Sequence, residues 1–249
     1  MAIIWQKQIG DTSYEVRTAG NTRRLYTNGV FHSQFNSRHP VTGGIWDLLL
    51  LPAFFYPDKN YQRILVLGVG GGAIIKQFQY FLQPNKIIGI ELNSTHIYIA
   101  KRFFNVQGNN VDLIKADAVQ WLKNYRGKPF DIIVDDLFGE EQGEPVRAVV
   151  ADKSWFNCLI NNLTAEGLLV SNFVSKKEFK RSAFCTDKSV RKKIHSAYTL
   201  AAPLHENVIA AFVRQPTSSK ILRKSLGSIP ELNPELKTSK LKYSVREVK

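Results

Sequence analysis

Hydrophobic runs and helical patterns alternate through the middle of the chain. Five short runs are rich in leucine and β-branched residues, and amphipathic stretches with helical spacing separate them. Apolar strands that alternate with helices are typical of a parallel sheet covered by helices on both faces. The predicted strands are residues 63–67, 86–91, 111–114, 130–135 and 167–174, and the predicted helices are 72–82, 94–104, 118–125 and 152–162.

The segments on either side of this alternation have different patterns. Three short β-rich runs between residues 14 and 33 are separated by hairpin turn signals, so they predict a small meander. The apolar segment "GGIWDLLLLPAFF" then predicts a buried helix. Beyond the alternation we expect one basic helix over residues 176–193. Two final strands, at 195–201 and 207–214, have a short connection that permits an antiparallel hairpin.

Together these patterns predict an α/β protein in three parts. Residues 1–40 form an N-terminal β-meander. Residues 41–215 form a Rossmann-like domain whose sheet is mostly parallel, with an antiparallel last strand. Residues 216–249 change in composition and predict a basic, partly ordered extension over the surface.

Composition narrows the class of protein. With 249 residues and 44% apolar residues, the chain can bury a substantial core. Its longest apolar stretch, residues 45–55, is broken by Asp47 and Pro52 and is too short to span a bilayer. Cys158 and Cys185 match neither a metal spacing nor a disulfide framework. We therefore expect a cytoplasmic protein with no secretory signal, no membrane contact and no metal.

The net charge of +13 is unevenly distributed. Residues 176–193 hold eight Lys and Arg against two acids, and residues 216–249 hold eight against three. A basic surface attracts polyanions, but neither segment interleaves the aromatic residues that stack on bases. The pattern favours a solvated surface that binds nucleic acid weakly at most.

Candidate cofactor residues follow the first two predicted strands, at the edge where open parallel sheets bind ligands. Gly68, Gly70 and Gly72 form a turn in which a ligand can approach the backbone closely. Glu91 ends the second strand, where a carboxylate can accept hydrogen bonds from ribose hydroxyls. Both features fit a dinucleotide site as well as an adenosylmethionine site.

The third and fourth turns carry more acids. Asp117, followed by Ala118, can accept from an adenine amino group or cap the next helix. Asp135 and Asp136 end a buried strand. A dinucleotide fold has no particular need for acids there, whereas a site for a sulfonium donor and a cationic acceptor does.

Four turn segments resemble the polyamine aminopropyltransferase (spermidine synthase) family, and in particular its outlying methyltransferase-like members. They are "ILVLGVGGGAI", "IIGIEL", "KADAVQWL" and "FDIIVDDLFG", and "YEVRTAGNTRRLYTNGVFHS" resembles the family's N-terminal lid. The resemblance implies the class I adenosylmethionine methyltransferase fold, a homodimer and a small-molecule acceptor. It also places His32, Trp46 and Asp136 at the acceptor site.

The chain departs from the family pattern at the acceptor. Gly71 replaces an acid in the glycine turn, and Phe138 replaces the second acid of the loop after the fourth strand. Gly44, Ile45 and Trp46 stand where the family has Tyr-His-Glu. Because a buried ammonium needs an acidic partner, the departures argue against a diamine acceptor.

These observations lead to one interpretation with three alternatives. The preferred interpretation is methyl transfer from S-adenosylmethionine, with Asp135 facing the sulfonium and the acceptor. The glycines would admit the methionine part of the donor, Glu91 would hold the ribose, and Asp117 the adenine end. The alternatives are aminopropyl transfer from decarboxylated S-adenosylmethionine with amine ligands drawn from Asp47, Glu140 or Glu141, a non-catalytic polyanion-binding protein, and a nicotinamide-dependent oxidoreductase.

Overall fold

The N-terminal part of the computed structural model, which describes residues 1–203 and 205–248, is an antiparallel meander. Its strands are β1 (Ala2–Ile9), β2 (Thr12–Ala19), β3 (Thr22–Thr27) and β4 (Val30–Asn36). Tyr14, Val16 and Leu25 point from this sheet into the core. Strand β1 lies within the predicted β-meander of residues 1–40 but was not predicted as a separate strand, and its Ile3 and Ile9 are exposed.

The central sheet has eight strands in the order β14-β12-β13-β11-β8-β5-β6-β7. These strands are β5 (Arg63–Leu67), β6 (Lys86–Glu91), β7 (Val111–Lys115), β8 (Phe130–Asp135), β11 (Leu163–Phe173), β12 (Ser196–Ala201), β13 (Val208–Val213) and β14 (Ser244–Glu247). Strands β5, β6, β7, β8 and β11 pair in parallel, while β13 pairs antiparallel with both β11 and β12. The predicted α/β fold, with a mostly parallel sheet and an antiparallel hairpin at its end, is confirmed.

Helices cover both faces of this sheet. They are α1 (Ile45–Leu50), α2 (Ala73–Phe81), α3 (Ser94–Phe103), α4 (Ala118–Asn124), α5 (Lys153–Asn161), α6 (Lys176–Arg181), α7 (Ala183–Thr186), α8 (Lys188–Arg191) and α9 (Ser219–Gly227). A 3₁₀ helix, Leu51–Phe55, continues α1. Along β5, Ile64 and Val66 belong to one buried cluster while Leu65 and Leu67 belong to the other. This alternation explains why the central strands are apolar throughout.

The predicted basic helix over residues 176–193 is wrong, since the segment forms the three short helices α6, α7 and α8. Ser182 and Asp187 have extended backbone angles and stand between these helices. Asp187 caps α8 by accepting hydrogen bonds from the backbone N–H groups of Ser189 and Val190. Side-chain capping by Asp187 competes with a continuous helix at that position, whereas Ser182 makes no side-chain cap hydrogen bond.

The hairpin β9 (Phe138–Glu141) and β10 (Glu144–Arg147) was also not predicted. Its turn residues Gln142 and Gly143 have φ values of 54° and 82°. Both values suit the tight turn of a two-residue hairpin. The segment is short and mostly polar, so it lacks the alternation that would reveal strands.

The C-terminal extension is built into the core. Helix α9 buries Leu222 and Leu226, and β14 pairs with the outer edge of β12. Lys220, Arg223 and Lys224 of the same helix are exposed. The extension therefore covers one edge of the sheet with its apolar side, and nucleic-acid binding by its basic side stays a prediction, as does the division into three domains.

Candidate functional site

A cavity of about 550 Å³ lies at the carboxyl ends of the parallel strands. Gly68, Glu91, Asp117 and Asp136 line it, at the ends of β5, β6, β7 and β8 respectively. The N-terminal sheet and the β9–β10 hairpin close it from other sides. The sheet thus brings together four turns that are distant in sequence, as the strand pattern predicted.

The glycine turn is shaped by close packing within the protein. Gly68, Gly70 and Gly72 have φ values of 84°, 52° and 78°. A Cβ atom on Gly68 would lie 2.1 Å from the carbonyl oxygen of Asp136. One on Gly72 would lie 2.5 Å from Val106, and Gly72 does not line the cavity. Gly68 and Gly70 therefore face the cavity, while Gly72 lets the turn pack against the body of the protein.

Glu91 holds the glycine turn in place. One carboxylate oxygen accepts hydrogen bonds from the backbone N–H groups of Val69 and Gly70, at 3.0 and 2.9 Å. The other oxygen accepts from the N–H of Asn93 at 2.9 Å. The side chain is buried but lines the cavity, so the predicted ribose contact stays a prediction beside this observed structural role.

Asp117 caps helix α4. Its Oδ1 accepts a hydrogen bond from the N–H of Gln120 at 2.8 Å. Asp117 and Ala118 also line the cavity, so the expected contact with the adenine end remains open to them.

The two acids after β8 point in different directions. Asp135 is buried and pairs with Arg147 at 2.8 Å, and it does not line the cavity. Asp136 does line the cavity, and its carboxylate accepts a hydrogen bond from Asn172 at 2.8 Å. Because successive side chains at the end of a strand face opposite sides, only one of the pair can reach the cavity. Asp135 therefore does not face the cavity as expected, whereas Asp136 does, and a contact of Asp136 with the acceptor stays a prediction.

Burial changes the acidity of the cavity acid. It raises the pKa of Asp136 to about 6, and the charge of Asp135 acts in the same direction. The hydrogen bond from Asn172 and the charge of Arg147 oppose this rise. Asp136 is consequently a carboxylate at neutral pH and a carboxylic acid in mildly acidic solution.

His32 of the N-terminal sheet and Trp46 of α1 line the cavity, and their contact with an acceptor stays a prediction. The His32 and His96 rings lie 5.2 Å apart, and the His96 Nε2 lies 2.8 Å from the Thr27 hydroxyl. Burial lowers the pKa of each histidine to about 4, so both imidazoles are neutral at pH 7. Among the described residues, His32 Nε2 has no hydrogen-bond partner and is left to a ligand or water.

Of the three acids considered as replacement amine ligands, only Glu140 lines the cavity. Glu140 accepts a hydrogen bond from Asn28 at 3.1 Å, which joins the hairpin to the lid. Asp47 is fully buried and is occupied by Gln77 and the backbone N–H groups of Thr42 and Gly43. Glu141 is exposed outside the cavity.

The cavity is acidic although the protein is basic. Its charged lining residues are Glu91, Asp117, Asp136 and Glu140, and no Lys or Arg of the described chain lines it. Asn172, at the end of β11, was missed by sequence reasoning. The signal for it was the polar pair Ser171-Asn172, which interrupts the apolar residues Leu168 to Phe173 at the end of the strand.

Residues 47–221 match the spermine/spermidine synthase domain. The chain belongs to the spermine/spermidine synthase family. The polyamine aminopropyltransferase of Neisseria meningitidis is 25% identical over 167 residues, which cover 65% of this chain and 62% of that protein. The polyamine aminopropyltransferase of Chromobacterium violaceum is 25% identical over 212 residues, which cover 82% of this chain and 77% of that protein. The first match thus spans less than two thirds of its relative.

Solved structures agree on the fold. A probable spermidine synthase from Corynebacterium glutamicum superposes with a TM-score of 0.75 at 15% identity, covering 99% of this chain and 91% of that one. Spermidine synthase from Thermotoga maritima gives 0.66 at 12% identity, covering 94% and 79%. Human methyltransferase-like protein 13 in complex with SAH gives 0.58 at 17% identity, covering 78% and 91%.

Within residues 1–203 and 205–248, no helix has the length and apolar character that crossing a membrane requires. The same residues contain no cluster of three or more His, Cys, Asp or Glu side chains placed to bind a metal ion.

Proposed function

We propose that this protein transfers an aminopropyl group from decarboxylated S-adenosylmethionine to an amine. The observation that carries the proposal is the acidic cavity, which has four acids and no Lys or Arg in its described lining. The proposal replaces methyl transfer as the preferred function. Its relatives among the polyamine aminopropyltransferases support the same choice.

The two possible donors differ at the free end of the chain that each carries on its sulfur. S-adenosylmethionine ends in a carboxylate and an ammonium, whereas the decarboxylated form ends in the ammonium alone. An acidic lining attracts an ammonium and repels a carboxylate. The backbone N–H groups of Val69 and Gly70, which could otherwise receive a carboxylate, already donate to Glu91.

The reaction requires the amine, the carbon and the sulfur to lie in line. The ammonium of the amine first loses one proton to water, which frees the nitrogen lone pair. The neutral nitrogen then forms a bond to the donor carbon, the carbon–sulfur bond breaks, and its electron pair stays on sulfur to give methylthioadenosine and a protonated secondary amine. Asp136 attracts the amine to the reacting carbon, and its carboxylate form predominates at neutral pH because its pKa is about 6.

Methyl transfer is kept as the second candidate because of the apolar residues in the cavity. Ile45, Trp46 and Phe138 line it, and none of them can bind an ammonium through a carboxylate. An uncharged acceptor would suit these residues. Methyl transfer to such an acceptor needs no second acid.

The two donors give different nucleoside products, so one experiment separates the candidates. The protein is incubated with each donor and a panel of monoamines, diamines and triamines, and the nucleosides are resolved by chromatography. We expect amine-dependent methylthioadenosine, and its loss in Asp136→Asn but not in the exposed control Glu141→Gln. Adenosylhomocysteine as the product would favour methyl transfer, and donor binding without either product would favour a non-catalytic protein.

A further inference from the structure

A second cavity, of about 440 Å³, lies behind the glycine turn. It is bounded by the N-terminal sheet, by α2 and by the C-terminal end of α3. Its lining residues are Asn21, Arg23, Phe35, Ser37, Lys76, Gln79, Tyr80, Phe103, Phe104 and Asn105. None of these residues lines the acidic cavity, so the two cavities are separate.

The charge of the second cavity is opposite to that of the first. Arg23 and Lys76 line it, and no acid of the described chain does. Arg23 donates to the Thr18 hydroxyl and the Gly20 carbonyl, and Lys76 donates to the Asn105 carbonyl at 3.1 Å. These contacts are to neutral oxygens, and burial lowers the pKa of Lys76. The guanidinium and the ammonium together therefore favour an anion with more than one negative charge.

The walls of the second cavity are aromatic, and the side-chain amide oxygen of Gln79 lies there without a hydrogen-bond donor in the described chain. Phe35, Phe103, Phe104 and Tyr80 supply four rings. The Oε1 of Gln79 is buried and accepts no hydrogen bond within the described chain, although its Nε2 donates to the Gln107 carbonyl at 3.0 Å. Rings next to an unused acceptor fit a flat, hydrogen-bonding ring on the ligand.

We propose that this second cavity binds a phosphate ester that carries a flat ring, the chemical class of the mononucleotides. Arg23 and Lys76 hold the phosphate, and the aromatic walls hold the ring. The proposal concerns a site apart from the acidic cavity, and it stands whether or not the protein transfers an aminopropyl group.

The second cavity also contacts the glycine turn through one residue. A Cβ atom on Gly71 would lie 2.8 Å from the Phe104 ring and 2.8 Å from the Cβ of Ser33, so both side chains pack directly on the turn. Phe104 is buried and lines the second cavity. A ligand that shifts or fixes Phe104 will therefore change the affinity of the acidic cavity, and the coupling will be reciprocal.

Calorimetric titration with uridine monophosphate tests the binding. This probe lacks the adenine of the donor, and the titration is run with and without saturating methylthioadenosine. We expect a dissociation constant on the order of 10–100 µM. Lys76→Gln and Arg23→Gln should each weaken binding about ten-fold, whereas Lys101→Gln, at an exposed lysine of α3 outside the cavity, should not. Uridine and inorganic phosphate should each bind about ten-fold more weakly than the ester.

Several results would overturn the proposal. The first is the absence of binding. The second is loss of bound uridine monophosphate in direct proportion to the methylthioadenosine bound, and the third is equal affinity of the wild-type, Lys76→Gln and Arg23→Gln proteins for the nucleotide. Equal affinity for inorganic phosphate would overturn the role of the aromatic walls. Thermal unfolding of each variant checks that its fold is retained.

A second titration tests the coupling. The affinity for methylthioadenosine is measured with and without saturating uridine monophosphate, and we expect a change of about three-fold or more. Phe104→Leu should reduce that change. Because Phe104 is also part of the aromatic wall, the substitution should weaken uridine monophosphate binding, so the variant is titrated at a nucleotide concentration that saturates it. A change as large as in the wild-type protein would contradict the role of Phe104. An unchanged affinity in the wild-type protein would overturn the coupling and leave the nucleotide site to be judged by the first titration.

Discussion

Arg147 and Asp135 form an ion pair at 2.8 Å in which each side chain is only 2% exposed. Arg147 ends β10, so this pair attaches the hairpin to the end of β8. Its guanidinium also donates to the Asn172 carbonyl at 2.5 Å and lies 5.0 Å from the centre of the Phe173 ring. Arg147 thus attaches the hairpin that carries Phe138 and Glu140 over the cavity to the central sheet.

Removing that arginine should destabilise the whole fold. In Arg147→Ala the Asp135 carboxylate stays buried without a counter-charge, which costs about 3–5 kcal/mol in the free energy of unfolding. Urea denaturation measures the loss. Arg126→Ala, at an exposed arginine that contacts only nearby carbonyls, should change the free energy by less than about 0.5 kcal/mol. Adding Asp135→Asn to Arg147→Ala should recover part of the loss, and a double variant as unstable as the sum would contradict this account.

Asp136 should couple activity to pH. Because its pKa is raised to about 6, the carboxylate becomes protonated below that pH, and kcat/KM should fall with it. The same shift affects stability: between the ordinary pKa of an aspartate, 3.8, and the raised pKa of about 6, the folded state binds the proton more tightly than the unfolded chain. The contribution of this group to stability is therefore lost as the pH rises through that window.

Asp136→Asn should accordingly abolish amine transfer and raise the melting temperature. The gain over wild type should be larger at pH 8 than at pH 4, because the wild-type carboxylate is charged only at the higher pH. Asp47, whose pKa is also about 6, is present in both proteins, so its effect cancels in the comparison. A melting temperature that rises equally at both pH values would show that the gain is unrelated to charge.

Glu91→Gln should weaken binding of the nucleoside. The substitution removes the negative charge that three backbone N–H groups share, and places an amide N–H against some of them. We expect methylthioadenosine to lose about 1.5–3 kcal/mol of binding free energy, measured by calorimetry. Glu166→Gln, at an exposed acid far along the chain, is the control. Wild-type affinity in Glu91→Gln would show that neither the ribose nor the glycine turn depends on this carboxylate.

Putrescine should be a poor acceptor. Its second ammonium would contact the apolar wall formed by Ile45, Trp46 and Phe138. Since Glu91 and Asp117 are assigned to the donor and Asp136 to the reacting amine, Glu140 is the acid of the described lining that is left for this ammonium. Spermidine formation is measured with decarboxylated S-adenosylmethionine as donor. We expect Phe138→Asp to increase it and Phe138→Leu, the matched control, to leave it unchanged. Turnover of putrescine by the wild-type protein at about 1 s⁻¹ or faster would show that Glu140 suffices as the second amine ligand.

Deleting residues 216–249 should unfold the protein rather than remove a loose basic segment. Leu222, Leu226 and Val245 are buried, so the deletion exposes the apolar surface that they cover. Circular dichroism and gel filtration will detect the loss of structure and the aggregation. Nucleic-acid binding by this region should instead be tested with Lys220→Gln and Lys224→Gln, which are exposed, in a salt series. A folded, monodisperse deletion variant would contradict the structural role of the extension.

The strand–helix alternation could be predicted because each central strand is apolar on both faces. The same reasoning failed for β1 and for the β9–β10 hairpin, whose exposed or polar residues leave no periodic signal. At the site, the sequence located Glu91, Asp117 and Asp136 by their positions after strands.

The sequence could not decide between Asp135 and Asp136. That choice depends on Arg147, which is 12 residues from Asp135 in sequence and lies on a hairpin that was not predicted. The second cavity could not be predicted from the sequence either, because only tertiary packing places Arg23 and Lys76 at the same cavity. Most helices and strands could thus be predicted from the sequence, whereas the contacts between them could not.

The pairing of β14 with β12 has a consequence for synthesis. Ser244 pairs with Ala201, so the outer edge of β12 stays open until residues 244–247 have left the ribosome. An open, apolar strand edge can pair with other chains. A nascent chain in which this segment has not yet emerged therefore exposes an edge that can pair with other chains, and pairing of β14 closes that edge.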